Sequence, residues 1–146
     1  MTNVVNASKR SRMMAGIRSR DTKPEMQVRR YLHASGFRFR LNVRSLPGSP
    51  DLVLAKWRTV IFVHGCFWHR HEDCTFAYTP KSRQDFWLEK FEKNVIRDVN
   101  AIAALKAAGW KVIVVWECTL RASQRDAALA ELVQEIREGA VDVGDR

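Results

Sequence analysis

The apolar positions of this chain change period several times, and each change marks an element. Thr22-Lys23-Pro24-Glu25 has the T-x-x-E form of a helix N-terminal capping box. Val28, Tyr31, Leu32 and Ser35 follow at helical spacing, and Gly36 is a stop signal for that helix. Phe37, Phe39, Leu41 and Val43 alternate with polar residues, which predicts a half-buried strand. Leu46-Pro47-Gly48-Ser49-Pro50 is a turn. Asp51–Ala55 predicts a short strand, joined through Lys56-Trp57-Arg58 to another at Val60–His64. The latter is apolar on both faces and belongs at the centre of a sheet. A loop rich in His and Cys runs on to about Pro80. Ser82–Ala108 predicts a long helix, with a bend expected near Asn94 and Gly109 at its end. Lys111–Trp116 predicts a further buried strand and Ser123–Glu138 a terminal amphipathic helix. Strands joined by short turns pair antiparallel, whereas a strand returning after a helix can lie parallel to its neighbour.

With 146 residues, 46% hydrophobic and 28% charged, the composition is that of one globular domain. The longest apolar run, Val112–Trp116, is too short to span a bilayer, and no membrane association is expected. No charged start followed by an apolar block opens the chain, so no secretion signal is expected. Three cysteines do not make a pure disulfide framework; a cytosolic protein with a metal site or free thiols fits better. The net charge of +9 is one-sided. Residues 1–44 hold eleven Lys/Arg against two Asp/Glu, and the remainder holds fourteen of each. A basic region of this kind is the footprint expected for nucleic acid, although a solvated tail would look the same. Ser8–Arg20 reads as a short basic helix with Met13, Met14 and Ile17 on one side, weakened by Gly16 and expected to order on a partner.

The candidate chemistry gathers at Val60–Cys74, V-I-F-V-H-G-C-F-W-H-R-H-E-D-C. Cys66, His71 and Cys74 are spaced C-x4-H-x2-C, and Cys118 lies just past the last strand. Four such donors close a tetrahedral structural Zn²⁺ site. His69 or Asp73 could replace His71, and small buried cysteines would also give this pattern. Asp51 opens one strand and Phe62-Val63-His64 closes the next, so the hairpin brings them together. A carboxylate beside a backbone carbonyl is an oxygen site suited to Mg²⁺ and to phosphodiester hydrolysis. His64 and His69 suit proton transfer, Asp98 could orient one imidazole, and Glu25 could reach the same point. Plain roles compete: Asp51 as a strand start, Glu25 as half of the capping box, Asp98 as a charge on a solvated helix face. Trp110 and Trp116 read as core. Phe67 and Trp68, with Trp87 nearby in sequence, read as exposed contact residues able to stack on or wedge between bases.

Together these stretches resemble the very short patch repair (Vsr-type) DNA mismatch endonucleases. The resemblance rests on V-I-F-V-H-G-C-F-W-H, Phe86-Trp87-x-x-Lys90-x-x-x-Asn94, Arg97-Asp98, Val115-Trp116-Glu117-Cys118, the R-S-x-M-M-x-x-I-R-S-R-D-T-x-P-E opening and Leu46-Pro-Gly-x-Pro-Asp51. It covers about residues 8–121. It implies an α/β, restriction-endonuclease-like fold with a modified PD-(D/E)xK signature, a mixed central sheet flanked by helices. Phe62-x-His64 takes the place of the acidic-x-Lys pair. Residues 1–21 would form a basic DNA-binding arm, 22–138 the endonuclease domain and 139–146 a tail. Mg²⁺ would be held by Asp51 and the main-chain carbonyl of Val63, a position where some members carry Thr. His69 would act as base or proton shuttle with Asp98, and Glu25 and His64 would complete the network. Cys66, His71, Cys74 and Cys118 would hold one structural Zn²⁺. Phe67, Trp68 and Trp87 would wedge into the duplex and Met14 would enter from the other groove. Arg10, Arg12, Arg18, Arg20, Lys90 and Asn94 would contact DNA. The implied activity is a Mg²⁺-dependent nick 5′ to the thymine of a T·G mismatch, left when 5-methylcytosine deaminates. The implied protein is a cytoplasmic, nucleoid-associated monomer acting on double-stranded DNA, with repair proteins as possible partners. A zinc-stabilised DNA-binding module without catalysis, or a nuclease of the same fold with another DNA substrate, are the competing readings.

Overall fold

The computed structural model describes residues 21–144. The basic segment, with Met14, Arg10, Arg12, Arg18 and Arg20, lies outside the described residues. Helix α1 (Lys23–Ala34) starts at the capping box: Thr22 is the N-cap and its Oγ1 accepts from the Glu25 amide at 3.3 Å. Glu25 reaches back, and its carboxylate accepts from the Asp21 amide (3.0 Å) and the Thr22 hydroxyl (3.1 Å). Val28 and Leu32 are fully buried, and Gly36, at φ +96, carries the chain out of the helix.

The strand expected over residues 37–43 is only β1 (Arg40–Leu41). Phe37 packs in the cluster on one face of the sheet and Val43 against the cluster on the other, so the chain folds over the sheet edge. Asn42, at φ 48, makes the bend, and Leu41 is left exposed rather than half-buried. β2 (Leu52–Leu54) pairs antiparallel with β1 and with β3 (Thr59–His64), connected by a 3₁₀ turn at Ala55–Trp57. All six residues of β3 are buried, as expected of a central strand. Where a continuous loop was expected, a one-turn helix α2 (Cys66–His69) follows immediately.

α3 (Gln84–Ala107) crosses over to β4 (Lys111–Trp116), which pairs parallel with β3 from Thr59↔Lys111 to His64↔Trp116. A 3₁₀ turn (Glu117–Leu120) leads to α4 (Arg125–Gly144), which ends six residues later than the sequence pattern suggested. The mixed sheet has the order β1-β2-β3-β4. Strand alternation sorts the core. Leu52, Leu54, Ile61, Val63, Ile113 and Val115 pack with α1 and α4. Val53, Val60, Phe62, Val112 and Val114 pack with Leu105 and Ile102 of α3. The same alternation directs His64 to the α3 face.

Gly48, at φ +73, lets the turn before β2 press on α3: a Cβ there would stand 2.7 Å from Ala101 Cβ and 3.2 Å from the Phe62 ring. Gly48→Ala should therefore destabilise the fold by about 1–3 kcal/mol through strain and overpacking, measured by urea unfolding. An unchanged midpoint would remove this close approach from the account.

Candidate active site

Two adjacent ends of the sheet build the site. β2 begins where β3 finishes, so Asp51 lies beside the last residues of β3, and its Oδ2 accepts from the Val63 amide at 2.7 Å. Burial pushes the Asp51 carboxyl up to about 7, although the Val63 bond favours the charged form; neighbouring Glu25 adds to the rise. Glu25 is buried and held by Arg29 (3.2 Å), which also pairs with Asp21 (2.8 Å). Glu25 is thus both half of a capping box and part of the cleft wall. The cleft, about 1020 Å³, is lined by Asp51, Val63, His64 and His69, with Arg44 on one side and Lys90, Arg97 and Asp98 of α3 on another.

His69, at the end of α2, faces α3. Its Nδ1 lies 2.6 Å from Asp98 Oδ2, and its ring stacks on His64 with centroids 3.8 Å apart and planes at 3°. Burial holds His64 down at about 4, with His69 adding to the fall, so it is neutral at pH 7. Its Nδ1 has no hydrogen-bond partner among the described residues.

The second cluster begins at Cys66, the first residue of α2. Cys66, His71, Cys74 and Cys118 bring their donor atoms within 4.8 Å of one another. His71 Nδ1 is 3.7 Å from Cys66 Sγ and 3.4 Å from Cys118 Sγ. Metal bonds of the usual Zn–S and Zn–N lengths at tetrahedral angles give an S···N edge of about 3.6 Å, so this donor set fits Zn²⁺. Of the open alternatives, His69 is engaged with Asp98, and His71 rather than Asp73 lies with the three cysteines. His64, His69 and Asp98 also lie within 4.8 Å of one another. That group is a poor metal site. An imidazole lone pair lies in the ring plane, no ion can lie in two parallel planes, and His69 Nδ1 already faces Asp98.

A family model described as DNA mismatch endonuclease Vsr matches residues 2–75. The chain is 44% identical over 137 residues to the DNA mismatch endonuclease Vsr of Escherichia coli K12, covering 92% of this chain and 87% of that protein. It is 49% identical over 140 residues to the type II nicking enzyme V.NmeAIP of Neisseria meningitidis, covering 94% and 99%. With V.XorIIP of Xanthomonas oryzae pv. oryzae, another type II nicking enzyme, it shares 49% over 120 residues, covering 82% and 88%. The chain belongs to the Vsr family of DNA mismatch endonucleases.

The Vsr-family chain arranges its aromatics differently from the exposed pair expected. Phe67 and Trp68 are half-buried. Phe67 meets Trp68, Tyr78, Trp87 and Phe91 at centroid distances of 5.0, 5.1, 5.6 and 5.1 Å. Asn94 Nδ2 donates to the Trp68 carbonyl (3.2 Å), and Lys90 Nζ lies 6.0 Å from the Trp68 ring centroid. Two residues beside Cys118 escaped the sequence reading as site residues. Trp116, expected in the core, is half-buried, stacks on His71 (4.2 Å, 12°) and meets His64 edge-on (5.1 Å). Glu117 Oε1 accepts from the Cys66 amide at 3.0 Å, tying the two strand ends together. Their position next to Cys118 was the available signal.

Because its folded-state value lies below 6.5, His64 opposes folding only when protonated. Its share of stability is intact above pH 6.5, falls between 6.5 and 4, and is fully lost below about 4. An NMR titration should place the His64 midpoint near 4; a midpoint near 6.5 would contradict a buried, neutral ring.

Proposed function

We infer that this chain nicks one DNA strand on the 5′ side of the thymine of a T·G mismatch, by Mg²⁺-dependent phosphodiester hydrolysis. The observation that carries this is the meeting of Asp51, His69 and Asp98 along one cleft in a mismatch-endonuclease chain. Relatives named nicking enzymes support cutting of a single strand. The mixed sheet with helices on both faces agrees with a restriction-endonuclease-like fold, residues 22–138 forming the nuclease, 1–21 a DNA-binding arm and 139–146 a tail. The chain acts as a cytoplasmic, nucleoid-associated monomer.

Asp51 and the Val63 carbonyl would hold Mg²⁺. A desolvated carboxylate whose value has risen to about 7 suits a cation, which replaces the lost hydration of its charged form. When bound, the ion neutralises charge at the scissile phosphate and makes water more acidic. The protein's own residues handle the proton. Asp98 accepts from Nδ1–H of His69, which leaves Nε2 as a lone-pair acceptor for the proton of attacking water. Neutral His64, stacked on that ring, adds no charge to oppose the imidazolium that forms. Glu25 orders the water network from α1.

Phe67, Trp68 and Trp87 enter the duplex from their shared cluster, and Lys90, Asn94 and the arm residues Arg10, Arg12, Arg18 and Arg20 grip the backbone, with Met14 in the opposite groove. A wobble pair costs less to unstack than a matched pair, so deformability contributes to selectivity. Zn²⁺ on Cys66, His71, Cys74 and Cys118 would fix α2, which carries His69, and the loop that follows it. Burial pushes the Cys66 thiol up to about 12, a cost that a bound cation offsets by holding the thiolate.

Two outcomes are expected. Asp51→Ala should slow nicking about a thousandfold, several kcal/mol of lost electrostatic stabilisation, while leaving mismatch binding largely intact. The assay compares T·G, T·A and C·G duplexes on a gel; equal cleavage of all three by wild type would reject mismatch selectivity. Purified protein should carry about one zinc per chain. Cys118→Ser should lower that content together with the melting temperature, and wild type without zinc would remove the structural-metal role.

A further inference from the structure

Arg70 lies between His69 and His71 but belongs to neither the proton-transfer pair nor the Cys-His cluster. It caps α2 in a left-handed conformation, φ 53. Its Nη1 donates to the carbonyls of Phe67 (3.3 Å) and Tyr78 (2.9 Å), and its Nη2 donates to Thr79 Oγ1 (3.0 Å). The same guanidinium lies over the buried Phe91 ring of α3, with Cζ 3.9 Å from the centroid. One side chain therefore joins α2 to the far part of the loop at residues 78–79 and rests that junction on α3. No helix or strand lies between His69 and Gln84 to do this instead. The Cys-His cluster anchors the loop elsewhere, to the end of β4 through Cys118. Phe67 and Trp68 lie between these two anchors.

We propose that Arg70 is a positioning residue for mismatch recognition: its guanidinium sets the angle at which Phe67 and Trp68 enter the base stack, separately from the metal cluster. This rests on the reading that those aromatics enter the stack. The guanidinium explains the residue type. Two of its nitrogens bond three oxygens while its central carbon lies over a ring, and the point charge of lysine cannot do both. A ring displaced by an ångström misplaces the scissile phosphate without preventing the protein from meeting DNA. The effect falls on kcat rather than on KM.

The test uses the full chain as wild type, Arg70→Ala and Arg70→Lys, on a T·G duplex with 2-aminopurine beside the thymine. Wild type should nick the duplex and raise 2-aminopurine fluorescence as the stack opens. Both variants should keep wild-type zinc content and a KM within about twofold of wild type. Their kcat should fall by about ten- to a hundredfold, with the fluorescence rise lost. Wild-type kcat and a full fluorescence rise in Arg70→Lys would overturn the proposal. Loss of zinc along with activity in both variants would overturn it too, because Arg70 would then serve only to fold the loop. A wild type that nicks without any fluorescence rise would overturn the wedge reading on which the proposal rests, while leaving the nuclease assignment standing.

Discussion

The parallel pairing of β3 with β4 is the constraint on which the site depends. Its last rung, His64↔Trp116, makes the two central strands stop together, so the segments leaving them start side by side. One segment becomes α2 with Cys66 and His69; the other becomes the turn with Glu117 and Cys118. The Glu117–Cys66 bond fixes their spacing, and the Cys-His cluster closes across them. β2 arrives antiparallel on the other side of β3, which puts Asp51 at the same end of the sheet. Strand alternation turns His64 toward α3, where His69 and Asp98 meet it.

This arrangement buries groups in ways that oppose their charged forms. The Asp51 carboxyl at about 7 costs folded stability that grows as pH rises from 3.8 to 7, because the unfolded chain ionises more readily. A cation bound at Asp51 would offset that cost. The Cys66 thiol follows the same logic beside softer donors. Hydrophobic packing holds the frame, with Ile61 and Val60 fully buried on opposite faces of β3, and the frame keeps these polar groups where ions and phosphate would satisfy them.

Much of this was legible in the sequence because the signals were local. T-x-x-E marked the start of α1, the apolar run at residues 60–64 marked the central strand, and the strand–helix–strand order implied the parallel pair. The 37–43 segment misled because alternation reports period and not the partner. β2 offers only three residues, and the chain crosses the sheet edge at Asn42. Residue type suggested that Asp98 could orient one imidazole and the family resemblance named His69, but the stacking of His64 on His69 depends on how α2 and α3 pack. Glu117, Trp116 and Arg70 were missed for a similar reason: their partners are backbone groups, or rings whose positions only the fold defines.

The central claim is that the catalytic cation belongs to Asp51 at the β2–β3 junction, and that His64, His69 and Asp98 serve proton transfer. Anomalous diffraction from crystals soaked with Mn²⁺, a stand-in for Mg²⁺, tests this directly. A Mn²⁺ peak within bonding distance of the Asp51 carboxylate and the Val63 carbonyl is the predicted result. A peak held instead by His64, His69 and Asp98, with Asp51 unliganded, would contradict it.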